Sequence, residues 1–343
     1  VEKRPRLLRL AGPHAHFALS LWREFFSFAA VSTEPFQVLL YYLYTRIDNP
    51  TGYRDAHAAL CQQLGLRGRI LIATEGLNGT VSGPLGACSA YMEAMRADPL
   101  TAAMAFKIDP SDGHLFPKLS VKVREEIVAL GLGEEDFSPQ QTTGSHLSPR
   151  EFRAMMEDPN AVLLDARNDY EWKLGRFAGA LLPEVENFRD LPAWVREHRE
   201  ELEGKKILTY CTGGIRCEKF SGFLRREGFA QVFQLDGGIV EYGKDPEVQG
   251  ERFEGKCYVF DGRVAVPINR AEPHRVVSHC IGCATASDRY VNCRLSTCNA
   301  RVFYCENCEA QGPPCCNDIC RSALLAQGLD AAPAAESDFP RTY

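Results

Sequence analysis

Nine of the chain's 14 cysteines fall between Cys280 and Cys320, and so dense a cluster leaves few ways to fold that segment. A stretch this small has too little apolar surface for a core of its own, so its thiols must be tied to one another or to metal. The spacings are Cys280-x2-Cys283, Cys293-x4-Cys298, Cys305-x2-Cys308 and Cys315-Cys316-x3-Cys320. Two-residue gaps let both thiolates of a pair reach one tetrahedral zinc at about 2.3 Å. Nine thiols make two four-cysteine sites with one left over, at Cys315 or Cys316, because adjacent residues rarely both ligate one ion. We take Cys280, Cys283, Cys293, Cys298, Cys305, Cys308, Cys316 and Cys320 as ligands of two structural zinc ions in closed sites. The pairing cannot be deduced from spacing, and a cross-braced arrangement is the expectation. Disulfides and an iron–sulfur cluster are the rival readings.

Disulfides would call for an oxidising compartment. The most apolar early stretch, 17–31, is broken by Arg23 and Glu24 and has no small-residue cleavage site, so it does not read as a secretory signal. No run approaches the ~20 apolar residues of a membrane span. We therefore expect a cytoplasmic protein with no membrane partner, where clustered cysteines mean metal or catalysis. Residues 1–31 carry Arg4, Arg6, Arg9 and Arg23. They fit a transit peptide or an over-long start, and we expect a disordered extension there.

At 343 residues the chain should hold two or three domains. Residues 32–140 alternate in the order βαββαβ, which predicts a ferredoxin-like (acylphosphatase-like) α+β domain. In it, Gln37–Ile47 reads as a strand, Glu75-Gly76-Leu77-Asn78-Gly79 as a tight turn, and Leu85–Ala97 as a helix. The last strand alternates Leu119, Val121 and Val123 with Lys118, Lys122 and Arg124. Period two puts the three cations on one face, either as a solvated surface or as a contact for phosphates. The latter would localise positive charge on a chain whose net charge is −6. A polar linker is expected at 138–145. Residues 145–245 read as an α/β domain with a parallel sheet, opened by Ser148, Pro149 and Glu151 as a capping box. A charged connector with a β-rich stretch at Lys256–Val266 leads to the zinc-binding domain, 256–325, and 326–343 reads as a flexible tail.

The sharpest motif is Tyr210-Cys211-Thr212-Gly213-Gly214-Ile215-Arg216-Cys217-Glu218. An apolar strand ends at Tyr210 and a helix begins near Cys217. Two glycines let the intervening backbone curl so that its N–H groups point inward. Such a loop binds an anion and favours thiolate over thiol, and Arg216 adds a positive charge. Cys211 is the candidate nucleophile, with Arg216 supporting it and Thr212, Gly213, Gly214 and Ile215 lining the cradle. Cys217 is either a resolving partner for Cys211 or a residue of the first helical turn.

Asp165-Ala166-Arg167 with Glu171, Gly179-Ala180, the Cys211 loop and Leu235-Asp236-Gly237-Gly238 together resemble a rhodanese domain. The resemblance implies that Cys211 carries a persulfide or acts as nucleophile, and that Asp165, Arg167 and Glu171 brace the domain. Arg176 departs from the pattern, since rhodaneses usually carry histidine after that glycine. Related phosphatases place arginine six residues after the cysteine. Here that place is Cys217, which counts against phosphatase activity.

Taken with Glu75-Gly76-Leu77-Asn78-Gly79 upstream and the cysteine-rich segment downstream, the chain from about 36 to 320 closely resembles the bacterial oxygen-dependent tRNA uridine(34) hydroxylases. The resemblance implies hydroxylation of the wobble uridine at C5 to 5-hydroxyuridine, with molecular oxygen as co-substrate and the tRNA anticodon arm as partner. Cys211, Arg216 and Cys217 would then be catalytic, and Lys118, Lys122 and Arg124 would contact RNA. No flavin, haem or 2-His-1-carboxylate signature is present, so no organic cofactor is expected. A rhodanese sulfurtransferase carrying sulfane sulfur on Cys211, and an inert rhodanese serving as an interaction module, are the alternatives.

Overall fold

A strand of alternating character opens the described part of the chain. In the computed structural model, which describes residues 35–298 and 300–328, β1 (Phe36–Tyr44) turns Leu39 and Tyr41 into a core and Leu40 and Tyr42 to the opposite face. The expected extension at 1–31 and residues 329–343 of the expected tail lie outside the described residues. Helix α1 (Pro50–Gln63) starts where Asn49 Oδ1 accepts from Gly52 N–H and Pro50 occupies the first turn. Strands β2 (Arg67–Ala73) and β3 (Gly76–Pro84) follow, then α2 (Leu85–Ala97), β4 (Phe106–Ser111) and β5 (Leu119–Val123). Cys88, Tyr91, Met92 and Met95 of α2 recur at helical spacing and bury against the sheet.

The strand order is β4-β1-β3-β2-β5, with β5 added in parallel at the β2 edge. This is the expected α+β domain with one extra strand. Of the turn expected at Glu75-Gly76-Leu77-Asn78-Gly79, only Glu75 lies in a turn, and Gly76–Gly79 belong to β3. The chain reverses at Thr74–Glu75, and Asn78-Gly79 lies inside β3, opposite Tyr42 and Tyr41. The Tyr41 ring occupies the space a Cβ on residue 79 would need, 2.4 Å from its hydroxyl. Close packing, rather than a turn, explains the Asn-Gly pair.

The second domain is a parallel sheet of order β6-β10-β9-β7, from β6 (Ser145–Leu147), β7 (Ala161–Asp165), β9 (Lys206–Tyr210) and β10 (Gln231–Leu235). Helices cover both faces, as near-continuously apolar strands require. On one side α5 (Leu191–Glu197) and α7 (Ile215–Arg226) bury Leu191, Val195, Phe220 and Phe223. On the other, α3 (Pro149–Met155) and α8 (Gly238–Lys244) bury Phe152, Ile239 and Tyr242. The capping box of Ser148 and Glu151 forms as expected, worth about 1 kcal/mol. Helix α4 (Asp169–Leu174) leads into β8 (Gly175–Phe177), and α6 is the short Arg199–Leu202.

Two connecting segments differ from expectation. Residues 138–145 are docked rather than free: Gly144 N–H donates to Ser221 Oγ (2.7 Å), and Gln140 Nε2 donates to the Tyr44 carbonyl (2.6 Å). The stretch after 245 is also stitched in. β11 (Phe253–Tyr258) pairs with β8, and β12 (Ala265–Pro267) pairs with β11, so the β-rich stretch is two strands around a reverse turn. The cysteine segment forms a hairpin, β13 (Tyr290–Asn292) with β14 (Arg301–Phe303), and two short helices, α9 (Glu306–Gln311) and α10 (Asp318–Ala326). The hairpin packs onto the second domain through Leu174, Tyr258 and Phe303.

Candidate active site and metal centres

Strand β9 delivers Cys211 just past its C-terminal end and α7 receives the chain four residues later. Gly214 takes φ +99° and caps the helix, which therefore starts at Ile215, two residues before the expected point. The Asp236-Gly237-Gly238 turn closes the other side. There Ile239 N–H donates to the Cys211 carbonyl (3.0 Å) and Val240 N–H to the Thr212 carbonyl (3.1 Å). The loop is thus fixed from both ends by helix starts.

The Cys211 thiol is completely buried, and Gly214 N–H donates to its sulfur at 3.1 Å. Burial pushes this thiol up. A hydrogen bond from the Cys217 thiol, the Arg216 charge and the amides of Cys217 and Gly214 pull it down further, to about 6. Cys217 moves the opposite way, pushed up by burial and by its bond to Cys211. Its sulfur also lies 3.9 Å from Thr209 Oγ1. The pair therefore holds its charge on Cys211, with Cys217 as the protonated donor. Cys217 belongs to the first helical turn and also donates to the Cys211 sulfur.

Arg216 is not aimed at Cys211 alone. Its guanidinium grips Glu171 through Nη1–Oε1 (2.5 Å) and Nη2–Oε2 (2.8 Å), and Nη2 reaches Thr212 Oγ1 at 3.3 Å. Burial opposes its charge, but Glu171 and Cys211 hold it protonated. Glu171 is thus part of the site, whereas the sequence had suggested only a brace. The brace is the fully buried Asp165–Arg167 pair (2.6 Å), with Arg167 Nη2 also donating to the Gly175 carbonyl (2.7 Å). Arg176 donates to the Trp172 carbonyl (3.3 Å) and makes a local contact in place of the histidine.

The first domain roofs the cysteine loop. Leu40 packs on Gly213, Tyr42 Oη lies over Gly214 and donates to Glu218 (3.1 Å), and Tyr44 Oη donates to the Ile215 carbonyl (3.4 Å). Sequence reasoning missed these residues because they arrive from a strand remote in sequence. Glu75 and Asn78 also serve this seam. Glu75 accepts from Ile127 N–H (2.7 Å), Asn78 Nδ2 donates to the Ile127 carbonyl (3.0 Å), and Glu75 pairs with Lys219 of α7 (2.8 Å). Buried Lys219 also meets Glu126 (2.6 Å) and Asp136 (3.1 Å).

The roofing face continues to the basic strand. Tyr42 pairs with Asn78, Asn78 with Leu71 and Leu71 with Lys122, so all four side chains share one face. Three strand spacings put Lys122 about 14 Å from Tyr42. Lys118, Lys122 and Arg124 are exposed and form no ion pair among the described residues.

The cysteines form two groups, Cys280, Cys283, Cys305 and Cys308 and then Cys293, Cys298, Cys316 and Cys320, with the thiols of each within 4.8 Å of one another. First pair joins third and second joins fourth, a cross-brace. Sulfur separations of 3.6 Å (Cys283–Cys305) and 3.5 Å (Cys298–Cys316) suit the edge of a tetrahedron with ~2.3 Å metal–sulfur bonds. Either group could hold a metal ion. Cys315 stays outside and is buried beside Leu295 and Leu324.

Three family models match the chain: a UPF0176 acylphosphatase-like domain over 36–127, a rhodanese-like domain over 148–245 and a rhodanese C-terminal domain over 254–321. Curated relatives include a tRNA uridine(34) hydroxylase of Bacillus mycoides (strain KBAB4), 52% identical over 84% of this chain and 90% of its own length. Proteins of the same name from Bacillus cereus (strain ATCC 10987 / NRS 248) and Bacillus pumilus (strain SAFR-032) are also 52% identical over 84% of this chain, covering 90% and 89% of their lengths. No helix among the described residues is long and apolar enough to cross a membrane.

Proposed function

The chain belongs to the tRNA uridine(34) hydroxylase family, and from that premise we propose that it hydroxylates the wobble uridine of tRNA at C5, giving 5-hydroxyuridine with molecular oxygen as co-substrate. The observation that carries the chemistry is the Cys211 thiolate, held by Gly214 N–H and by Cys217 at the end of β9. A soft thiolate adds to C6 of uracil, and the C5–C6 electron pair moves onto C5 and the C4 carbonyl oxygen. C5 then bonds one oxygen atom of O2. Loss of the C5 proton restores the double bond and expels the thiolate from C6. The product of that step is a C5 hydroperoxide, and two electrons complete the balance: one thiol of the Cys211–Cys217 pair takes its terminal oxygen as the O–O bond breaks, and the other thiol displaces water from the resulting sulfenic acid. Uridine, O2 and two thiols give 5-hydroxyuridine, water and a disulfide, which an external dithiol reopens. Arg216, fixed by Glu171, favours the thiolate as attacking and leaving group.

Lys118, Lys122 and Arg124 grip phosphates of the anticodon arm, while a looped-out base reaches the cysteine. The two four-thiol groups fit structural zinc, a soft-ligand tetrahedral set with no open position. Each ion would contribute on the order of 10 kcal/mol of apparent folding free energy to a segment with little core. A tRNA substrate places the working protein in the cytoplasm.

The test is deletion of the gene in its host, with mass spectrometry of tRNA nucleosides and complementation by wild type or Cys211→Ala. Loss of 5-hydroxyuridine derivatives, restored by wild type alone, is the expected result. Unchanged hydroxyuridine with reduced thiouridine would replace this reading with sulfur transfer.

A further inference from the structure

A cleft opens beside the cysteine loop, between β4 and the Val259–Arg263 segment, and Thr212 forms part of its wall. Two of its other residues have no role so far, Lys107 and Phe260. The neighbouring cations are taken: Asp109 pairs with Lys244 (2.7 Å) and Arg263 (3.0 Å), and Arg263 also pairs with Asp261 (2.7 Å). Lys107 forms no ion pair among the described residues. Its ammonium lies 5.1 Å from the centre of the Tyr42 ring, half-buried in the wall. Burial pushes Lys107 toward the neutral amine, while the nearby charges of Glu241, Cys211 and Asp236 oppose that. Phe260 is an aromatic ring 38% exposed at the mouth. It is held edge-on by Tyr258 (5.1 Å) and lies 5.7 Å from the Arg216 guanidinium.

We propose that this cleft is the uracil pocket, in which Phe260 stacks on the target base and the Lys107 ammonium donates to its O4. The inference rests on the hydroxylase reading and deepens it. An exposed ring, an unpaired donor and a nucleophilic loop are what a flat ring needs if it bears carbonyls and is attacked at C6. Every base has a face to stack, so Phe260 supplies affinity without choice. Lys107 supplies the choice. Uracil offers a carbonyl oxygen at position 4, where cytosine presents an amino group that an ammonium repels. The same O4 gains negative charge when the thiolate adds to C6, so the contact strengthens as the reaction proceeds. The enclosed part of the cleft, about 40 Å³, is smaller than a pyrimidine ring. It takes the carbonyl edge while the ring lies in the open mouth on Phe260.

The test uses three anticodon stem-loop RNAs that differ only at nucleotide 34: uridine, cytidine or an abasic residue. Binding is read by fluorescence anisotropy under nitrogen, so that no turnover occurs. Wild type should prefer uridine to the abasic RNA about a hundredfold, since stacking and one charged hydrogen bond each contribute roughly tenfold. Phe260→Ala should lose about tenfold of that preference and keep the part supplied by Lys107. Lys107→Met should lose the preference for uridine over cytidine, and Lys107→Arg should keep it. Abasic affinity should be unchanged in all three variants, which shows that they are folded and that the phosphate grip is intact. A uridine preference that survives undiminished in both Phe260→Ala and Lys107→Met would overturn the pocket and leave the hydroxylase reading standing. A wild-type protein that binds none of the RNAs, from a host whose deletion strain keeps its hydroxyuridine, would overturn both.

Discussion

Cys211 should titrate near pH 6, and Cys217→Ala should move that midpoint upward by about one to two units. The sign follows from the causes acting on the group. Burial favours the neutral thiol, and the Cys217 thiol is the foremost of the contacts that outweigh it, ahead of Arg216 and the two amides. A hydrogen bond to a charged acceptor contributes about 1.5–3 kcal/mol, and about 1.4 kcal/mol is one pH unit. Alanine at 217 keeps the backbone amide and removes only the S–H donor. At neutral pH a thiol with a midpoint near 6 is about 90% thiolate, and one left at the ordinary value of about 8.5 is about 3%. The measurement is thiolate ultraviolet absorbance against pH, taken as a difference from Cys211→Ser so that the clustered cysteines cancel. Hydroxylation by wild type should rise with pH through the same midpoint, since the thiolate is the attacking form. A wild-type midpoint near 9, or one that Cys217→Ala leaves in place, would refute the account of how this loop activates its cysteine.

Three further outcomes are expected. Lys219→Met leaves Glu75, Glu126 and Asp136 facing one another without a cation. Breaking a buried pair costs about 3–5 kcal/mol, and partial exposure of these carboxylates reduces that to about 2–3 kcal/mol. Burial already raises the Glu75 carboxyl against the pull of Lys219. The variant should therefore regain stability as pH falls and Glu75 takes up a proton, and urea unfolding that shows an equal deficit at acidic and neutral pH would reject the clasp. Replacing Lys118, Lys122 and Arg124 together with Gln should reduce the slope of log affinity against log salt by about 2, at ~0.7 per phosphate contact on a single strand. An unchanged slope in RNA titrations would remove these residues from the interface. Elemental analysis should find two zinc ions per chain, and Cys305→Ser and Cys316→Ser should each lose one. Loss of both from either variant would contradict two separate centres.

The fold was legible wherever a residue's role is local. The capping box at Ser148, the period-two cations of β5 and the apolar run of β7 each follow from neighbours in sequence, and each appears where expected. The division of eight cysteines into two groups of four was legible too, because a two-residue gap suits one tetrahedral ion, whereas spacing alone could not decide which pairs meet. What escaped reading is long-range. Asn78-Gly79 looks like a turn because that dipeptide is a good turn former, yet the register of β1 on β3 places it mid-strand, and the Tyr41 ring demands the glycine. The segment at 138–145 looks like a linker because it is polar. Its polar groups are instead spent on Ser221 and Tyr44. Glu171 looks structural until Arg216 is seen to close on it. Lys107, Tyr42 and Phe260 carry no motif, since they reach the cysteine loop from other elements.

The distribution of charge reconciles an acidic chain with an RNA substrate. A net charge of −6 repels a polyanion at long range, so approach must depend on where the cations are left unpaired. At the seam between the first two domains, Lys107 apart, they are paired: Lys219 faces three carboxylates, and Lys244 and Arg263 share Asp109. Those contacts hold the roof over Cys211 and contribute nothing to an incoming phosphate. On β5 the cations have no acid partner, and they stand on the same sheet face that covers the nucleophile. An RNA backbone drawn to that edge is oriented before any base contact forms. The same argument sets a cost. The roof that protects the thiolate also bars a nucleobase from it, so the seam must yield on the cleft side, where Phe260 is exposed, and hold on the Lys219 side, where the charges are buried. Weakening the Lys219 clasp should therefore let solvent reach Cys211. Alkylation of that cysteine by iodoacetamide should be faster in Lys219→Met than in wild type at equal pH, and an unchanged rate would mean that the roof is held closed by Leu40 and Tyr42 alone.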